Sequence, residues 1–270
     1  TLIGLFGLLE RIVEFIGPAI TNGMMAGVGI MLANVALGMA KKNKTVGFFS
    51  IFLSFVIYMI SEDLVYTVTL SVVGSSFLAF ALKQKTDIKI TEREKLIFQK
   101  PIINASVVQG ALALICLNIG ANIAFGEITG SIANTEVNID HLSIVSSLAD
   151  LASASFGGGP VESIISATGG APNPLRSAVL MMSIMAVILF AGLLPKIGNY
   201  VPSESIAGFL FVLGGIVTAP SSAMTALSVE GIPGGVMVGG ITMTVTAISN
   251  PFYGMLAGVV FRSVAMLTGL

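Results

Sequence analysis

Glu162 is the residue of this chain that most invites chemistry. It follows Gly157-Gly158-Gly159-Pro160-Val161 and opens an apolar stretch that reads as helical to Thr168. Proline and an acidic residue both suit a first helical turn, and glycine lets a ligand approach the backbone closely. Two readings follow. Glu162 is the carboxylate of a helix N-terminus at a membrane surface, or it belongs to a broken span in which an extended segment, residues 155–159, meets a half-helix near the bilayer midplane. In the second case irregular backbone lines a cavity, and an ionisable side chain at that depth is a substrate or proton site. Asn118 and Asn122, four residues apart, share one helix face and serve either helix–helix hydrogen bonding or ligand contact. Glu127 falls off that face. Asp150, in a run of Ser and Ala, reads as a packing or helix-end residue, and His141 beside Asp140 reads as solvated.

Composition narrows what this chemistry can be. Of 270 residues, 54% are hydrophobic and only 10% charged, too few to clothe a soluble domain in water-facing charge. The expected class is an all-α, multi-pass membrane protein. A formal net charge of −1 supplies no basic field for nucleic acid. One cysteine (Cys116) and one histidine (His141) exclude a disulfide framework, multi-cysteine metal centres and two-histidine zinc motifs. Neither a P-loop nor a G-x-S-x-G elbow occurs. No enzyme, cofactor or metal site is therefore expected.

The elements that must position these residues are apolar runs long enough for a bilayer of about 30 Å. They cover residues 15–40, 46–60, 64–82 and 105–129, then the short 142–156 with its glycine break. Residues 177–194, 205–219, 236–249 and 255–267 complete about nine or ten spans. Lys41-Lys42-Asn43-Lys44 and Ser61-Glu62-Asp63 separate the first three, and Gly169-Gly170-Ala171-Pro172-Asn173-Pro174 is a strong breaker. Gly27, Gly208, Gly214 and Gly240 read as helix-packing contacts. Residues 83–100 mix six basic with three acidic side chains and are expected in water. Ten of the 13 Lys and Arg precede Pro101, which by the positive-inside rule places the loops at 41–44 and 83–100 in the cytoplasm. Thr1 runs straight into apolar sequence without a basic leader, so the expectation is a fragment of a longer protein.

Four segments carry a family resemblance. Phe15-Ile-Gly-Pro-Ala-Ile-Thr-Asn-Gly23, continuing through Met25-Ala-Gly-Val-Gly-Ile30, looks like the fifth span of the nucleobase:cation symporters, the xanthine, uracil and guanine permeases. Leu117-Asn-Ile-Gly120 resembles part of their eighth span, Val161-Glu162-Ser163 the acidic motif of their tenth, and Tyr200-Val-Pro202 with Ile206-Ala-Gly208 the start of their twelfth.

The resemblance implies a fourteen-span carrier of two inverted seven-span repeats, of which this chain supplies spans five to fourteen, the first four lying upstream. Residues 1–100 and 199–270 would form gate-domain spans and residues 101–198 core-domain spans. It implies import of a purine or pyrimidine base across the plasma membrane with proton coupling. Glu162 would bind the base and carry the proton, with backbone support from Gly159, Pro160 and Val161 and with Asn118 and Asn122 nearby. Three features depart from the family. Leu117 stands where the eighth span has an acid, the strand before Glu162 is Ser155-Phe-Gly-Gly-Gly159 rather than rich in Thr and Ser, and family topology puts the basic loops outside. Hence two other expectations stand beside the first: an anion or small-carboxylate carrier of the same fold, and a degenerate, non-transporting membrane protein. Dimerisation, and H⁺ against Na⁺, stay open.

Overall fold

The computed structural model describes residues 15–82, 104–161, 163, 167–193, 201–229 and 234–268. Among them every regular element is helical: α1 (Pro18–Lys42), α2 (Lys44–Ser61), α3 (Leu64–Ala81), α4 (Ala105–Ala133), α5 (Ile139–Ser155), α6 (Pro174–Phe190), α7 (Ser203–Leu227), α8 (Gly235–Ile248) and α9 (Pro251–Thr268), with a short 3-10 turn at Ala167–Gly170. Three of these, α1, α2 and α7, are long and apolar enough to cross a membrane, and the chain is compatible with an α-helical membrane protein. Glu162 and the loop at 83–100 lie outside the described residues.

Helix boundaries follow the breakers. Pro18 opens α1 after Gly17, whose φ is +79°. Asn43 separates α1 from α2 and caps α2, its side chain accepting the Val46 N–H at 3.3 Å. Pro174 opens α6 and Pro251 opens α9. The span expected over residues 205–219 continues past Pro220, as α7, to Leu227. Its middle, Val212–Thr218, is a π-helix that passes into α-helix at Ala219. Proline lacks the N–H that would meet the carbonyl four residues back, and a wider i→i+5 turn is one way to continue the helix past it.

By Cα proximity the chain forms two compact units. In one, the first part of α1 packs with α8 and α9, and α4 packs with α5 and α9. A small core joins Ile16, Ala19, Ile20 and Val238. Arg262, a charge within an apolar helix, is settled here: it donates to the Ile16 carbonyl at 2.9 Å and lies 5.2 Å over the Phe15 ring.

The other unit holds the rest of α1, α2, α3, α6 and the first part of α7. Its packing is inverted relative to a water-soluble protein. The buried face of α2 is Val46, Gly47, Ser50 and Ser54, and that of α3 includes Thr67, Ser71, Ser75 and Ala79. Phe52, Phe77 and Phe80 point outward, each about two-thirds exposed or more (66%, 72% and 66%). Water would select the opposite arrangement. A hydrocarbon solvent removes the drive to bury Phe, and small residues win the interface because they let backbones approach. Ser50 Oγ donates to the Ser205 carbonyl at 2.6 Å and accepts the Gly208 N–H at 3.1 Å, tying α2 to the start of α7.

Candidate functional site

The polar side chains expected to matter converge on the α4–α5 hairpin. Asn118, Asn122, Gly126 and Gly130 recur every fourth residue along α4, so they form one stripe. Leu142 lies against Gly126 and Val137 against Gly130, which brings the two helices together near the connecting residues 134–138. Asn138 begins α5 by accepting the His141 backbone N–H at 2.8 Å. Along α5, Ser143, Ser146, Asp150 and Ser153 fall on one face, three or four residues apart.

These stripes meet in register. Asn122, 2% exposed, donates through Nδ2 to Ser143 Oγ at 2.9 Å and Ser146 Oγ at 3.1 Å. Asn118 Nδ2 donates to Asp150 Oδ2 at 2.8 Å. That bond orients the Asn118 amide, because turning it over would set its oxygen against a carboxylate. Its Oδ1 is left buried without a hydrogen-bond partner among the described residues.

The chain leaves α5 where the glycines begin. Ser155 is the last helical residue, Phe156 and Gly157 form a turn, and residues 158–161 have no regular structure. Gly157 has φ +77°, a conformation that favours glycine, and the Gly158 N–H closes the helix by donating to the Ser153 carbonyl at 2.8 Å. Helix α5 ends beside the glycines, as expected, but the extent of the irregular segment is corrected, and the half-helix expected from Glu162 lies outside the described residues. Residues 155–157 are helix end and turn, because the C-terminal carbonyls of α5 take up those N–H groups, and the irregular segment starts at Gly158.

From there the segment is stitched back onto the hairpin by side chains. Ser153 Oγ donates to the Gly159 carbonyl at 2.7 Å, the Val161 N–H donates to Asp150 Oδ1 at 2.5 Å, and Ser163 Oγ donates to Asn122 Oδ1 at 2.5 Å. With no neighbouring strand, backbone polar groups are satisfied by Ser and Asp instead. Residues 158–161 are exposed.

Of the sequence-derived candidates, Asn118, Asn122, Gly159, Pro160 and Val161 belong to this one assembly. Glu162 follows Val161 in the chain but is itself outside the described residues, and so is the Glu127 side chain. Asp150, read as a packing or helix-end residue, joins both asparagine-bearing α4 and the break. Ser143, Ser146 and Ser163 were not anticipated. Their signal was available in the shared face of 143, 146 and 150, although such a stripe also describes ordinary helix packing. Compared with known proteins, the chain matches no protein-family model, and no curated protein matches it.

Proposed function

We propose that this chain acts as a multi-pass secondary carrier of the plasma membrane, importing a purine or pyrimidine base with proton coupling. It is a carrier rather than an enzyme, with the bilayer and a small planar solute as its partners. The observation that carries the reading is the break after α5. In a chain otherwise built of apolar helices, an irregular exposed segment is braced by Ser153, Asp150 and Asn122 at the position expected for a substrate site. The resemblance of Val161-Glu162-Ser163 to the permease motif supports the same reading, with Glu162 as base ligand and proton carrier. The gate and core boundaries at residues 100 and 198 belong to this proposal.

An anion carrier is the poorer fit. The assembly contains the Asp150 carboxylate and, among the described residues, no cation hydrogen-bonded to it. A fixed negative charge beside the break opposes an anionic solute.

The test is uptake by proteoliposomes containing the full-length protein. Labelled uracil, xanthine, guanine, adenine, benzoate and sulfate are offered with and without an inward proton gradient. Accumulation of a base that collapses with the gradient is expected. Uptake of benzoate or sulfate alone, or of none of the six, overturns the assignment.

A further inference from the structure

At the break, an exposed backbone segment has one of its donors already in use. The Val161 N–H is bonded to Asp150 Oδ1, and the other oxygen of the same carboxylate holds Asn118 Nδ2. A single side chain thus covers two donors. Meanwhile Asn118 Oδ1 is a buried acceptor without a hydrogen-bond partner among the described residues. The backbone at 158–161 is exposed, so solute can reach the place where the carboxylate sits. Among the described residues no other charged group shares a hydrogen bond with Asp150, from α4, α5 or the returning segment.

We propose that Asp150 is an internal stand-in for the ligand: its carboxylate and the solute compete for the Val161 N–H and the Asn118 amide, and the solute enters only as Asp150 leaves. This rests on the carrier reading and adds how its site is regulated. With Asp150 withdrawn, the site presents two donors, Val161 N–H and Asn118 Nδ2, and one acceptor, Asn118 Oδ1, on the same amide as the second donor. The amide complements a ring edge with an N–H beside a carbonyl oxygen, and the Val161 N–H complements a further carbonyl. Uracil and xanthine carry that edge and adenine does not. The exchange trades hydrogen bonds for hydrogen bonds with no covalent step, so it is reversible, as a carrier site must be. Asp150 acts as a positioning residue: it occupies the site when the solute does not.

The experiment uses the whole chain in detergent, as wild type, Asp150→Ala and Asp150→Asn. Hydrogen exchange of the peptide containing Val161 is measured without ligand and with uracil, xanthine or adenine, alongside equilibrium binding of each base. The Val161 amide is expected to be protected in the wild type with or without uracil. In Asp150→Ala it becomes unprotected, and uracil or xanthine restores protection while adenine does not. Uracil binds Asp150→Ala about tenfold more tightly than wild type, the size of a lost competing charge-assisted hydrogen bond. Asp150→Asn, which keeps an uncharged acceptor and the shape, lies between them, and supplies the comparison if Asp150→Ala does not fold. Protection of Val161 that survives both substitutions without ligand, or uracil affinity unchanged in both, overturns the competition while leaving the carrier reading intact. Failure of every base to bind all three proteins overturns the carrier reading and the competition with it.

Discussion

At Asn122 both ends of one amide are engaged, with Ser143 and Ser146 on one side and Ser163 on the other. Replacing it by Ala removes the bonds to three hydroxyls, of which Ser143 and Ser146 are buried and Ser146 keeps its bond to the Ser143 carbonyl. Asn122→Ala is expected to cost about 1–3 kcal/mol, read as a lower midpoint of thermal unfolding in detergent; an unchanged midpoint would mean the serines find other partners. Glu162 is tested by charge instead. Glu162→Gln keeps the shape but cannot ionise, so base binding should weaken by about one to two orders of magnitude, with loss of proton-driven accumulation. Normal accumulation with the wild-type pH dependence would move the coupling role to another carboxylate, such as Asp150. Glu162 stood out in the sequence because it interrupts an apolar run. Asp150 did not, since its partners Asn118 and Val161 are 32 residues before it and 11 after it, and only the hairpin and the turn at Gly157 bring them together.

Helices here are held by close approach rather than by large apolar side chains. Gly208 lies so near Ser50 that an added Cβ would meet the Ser50 carbonyl oxygen and Ser54 Oγ. Gly208→Ala should therefore push α7 from α2 and destabilise the protein by about 1–3 kcal/mol. Ser50→Ala, which removes the bonds to Ser205 and Gly208 without crowding, should cost less; thermal unfolding of the two variants gives the order. The π segment of α7 makes a different prediction. With Pro220→Ala the missing donor returns and Val212–Thr218 is free to relax to α-helical pairing. Amide exchange of residues 212–222 should then slow; unchanged exchange would show that something other than Pro220 sustains the wide turns.

For the molecule as a whole, the solvent question is decided by which side chains face out. Along α6 no residue is buried, and Leu175, Met182 and Phe190 are 78%, 63% and 91% exposed. A nitroxide at Met182 in a Cys116-free background, in liposomes, should be relaxed more by oxygen than by a water-soluble nickel chelate, because oxygen partitions into hydrocarbon. The reverse preference would place α6 against water and weaken the multi-pass reading.

The sequence alone determined the class and the element list. A scarcity of charge and apolar runs of bilayer length admit few alternatives, and Pro18, Asn43, the Ser61-Glu62-Asp63 break and Pro174 mark helix ends through purely local chemistry. The expected bounds failed at residue 219, where the helix goes on through Pro220, and at Ser155, where helix replaces the expected extended chain. Tertiary structure decided which polar residues act together. A stripe of Ser on one helix is silent about its partner, since the same spacing suits packing, capping or a site. Only the α4–α5 register sets Asn118 against Asp150 and Asn122 against Ser143 and Ser146, and only the turn at Gly157 returns Val161 to a carboxylate eleven residues earlier. Hydrogen bonds reach about 3 Å, so a site assembled from distant parts of the chain exists only once the fold has closed those distances.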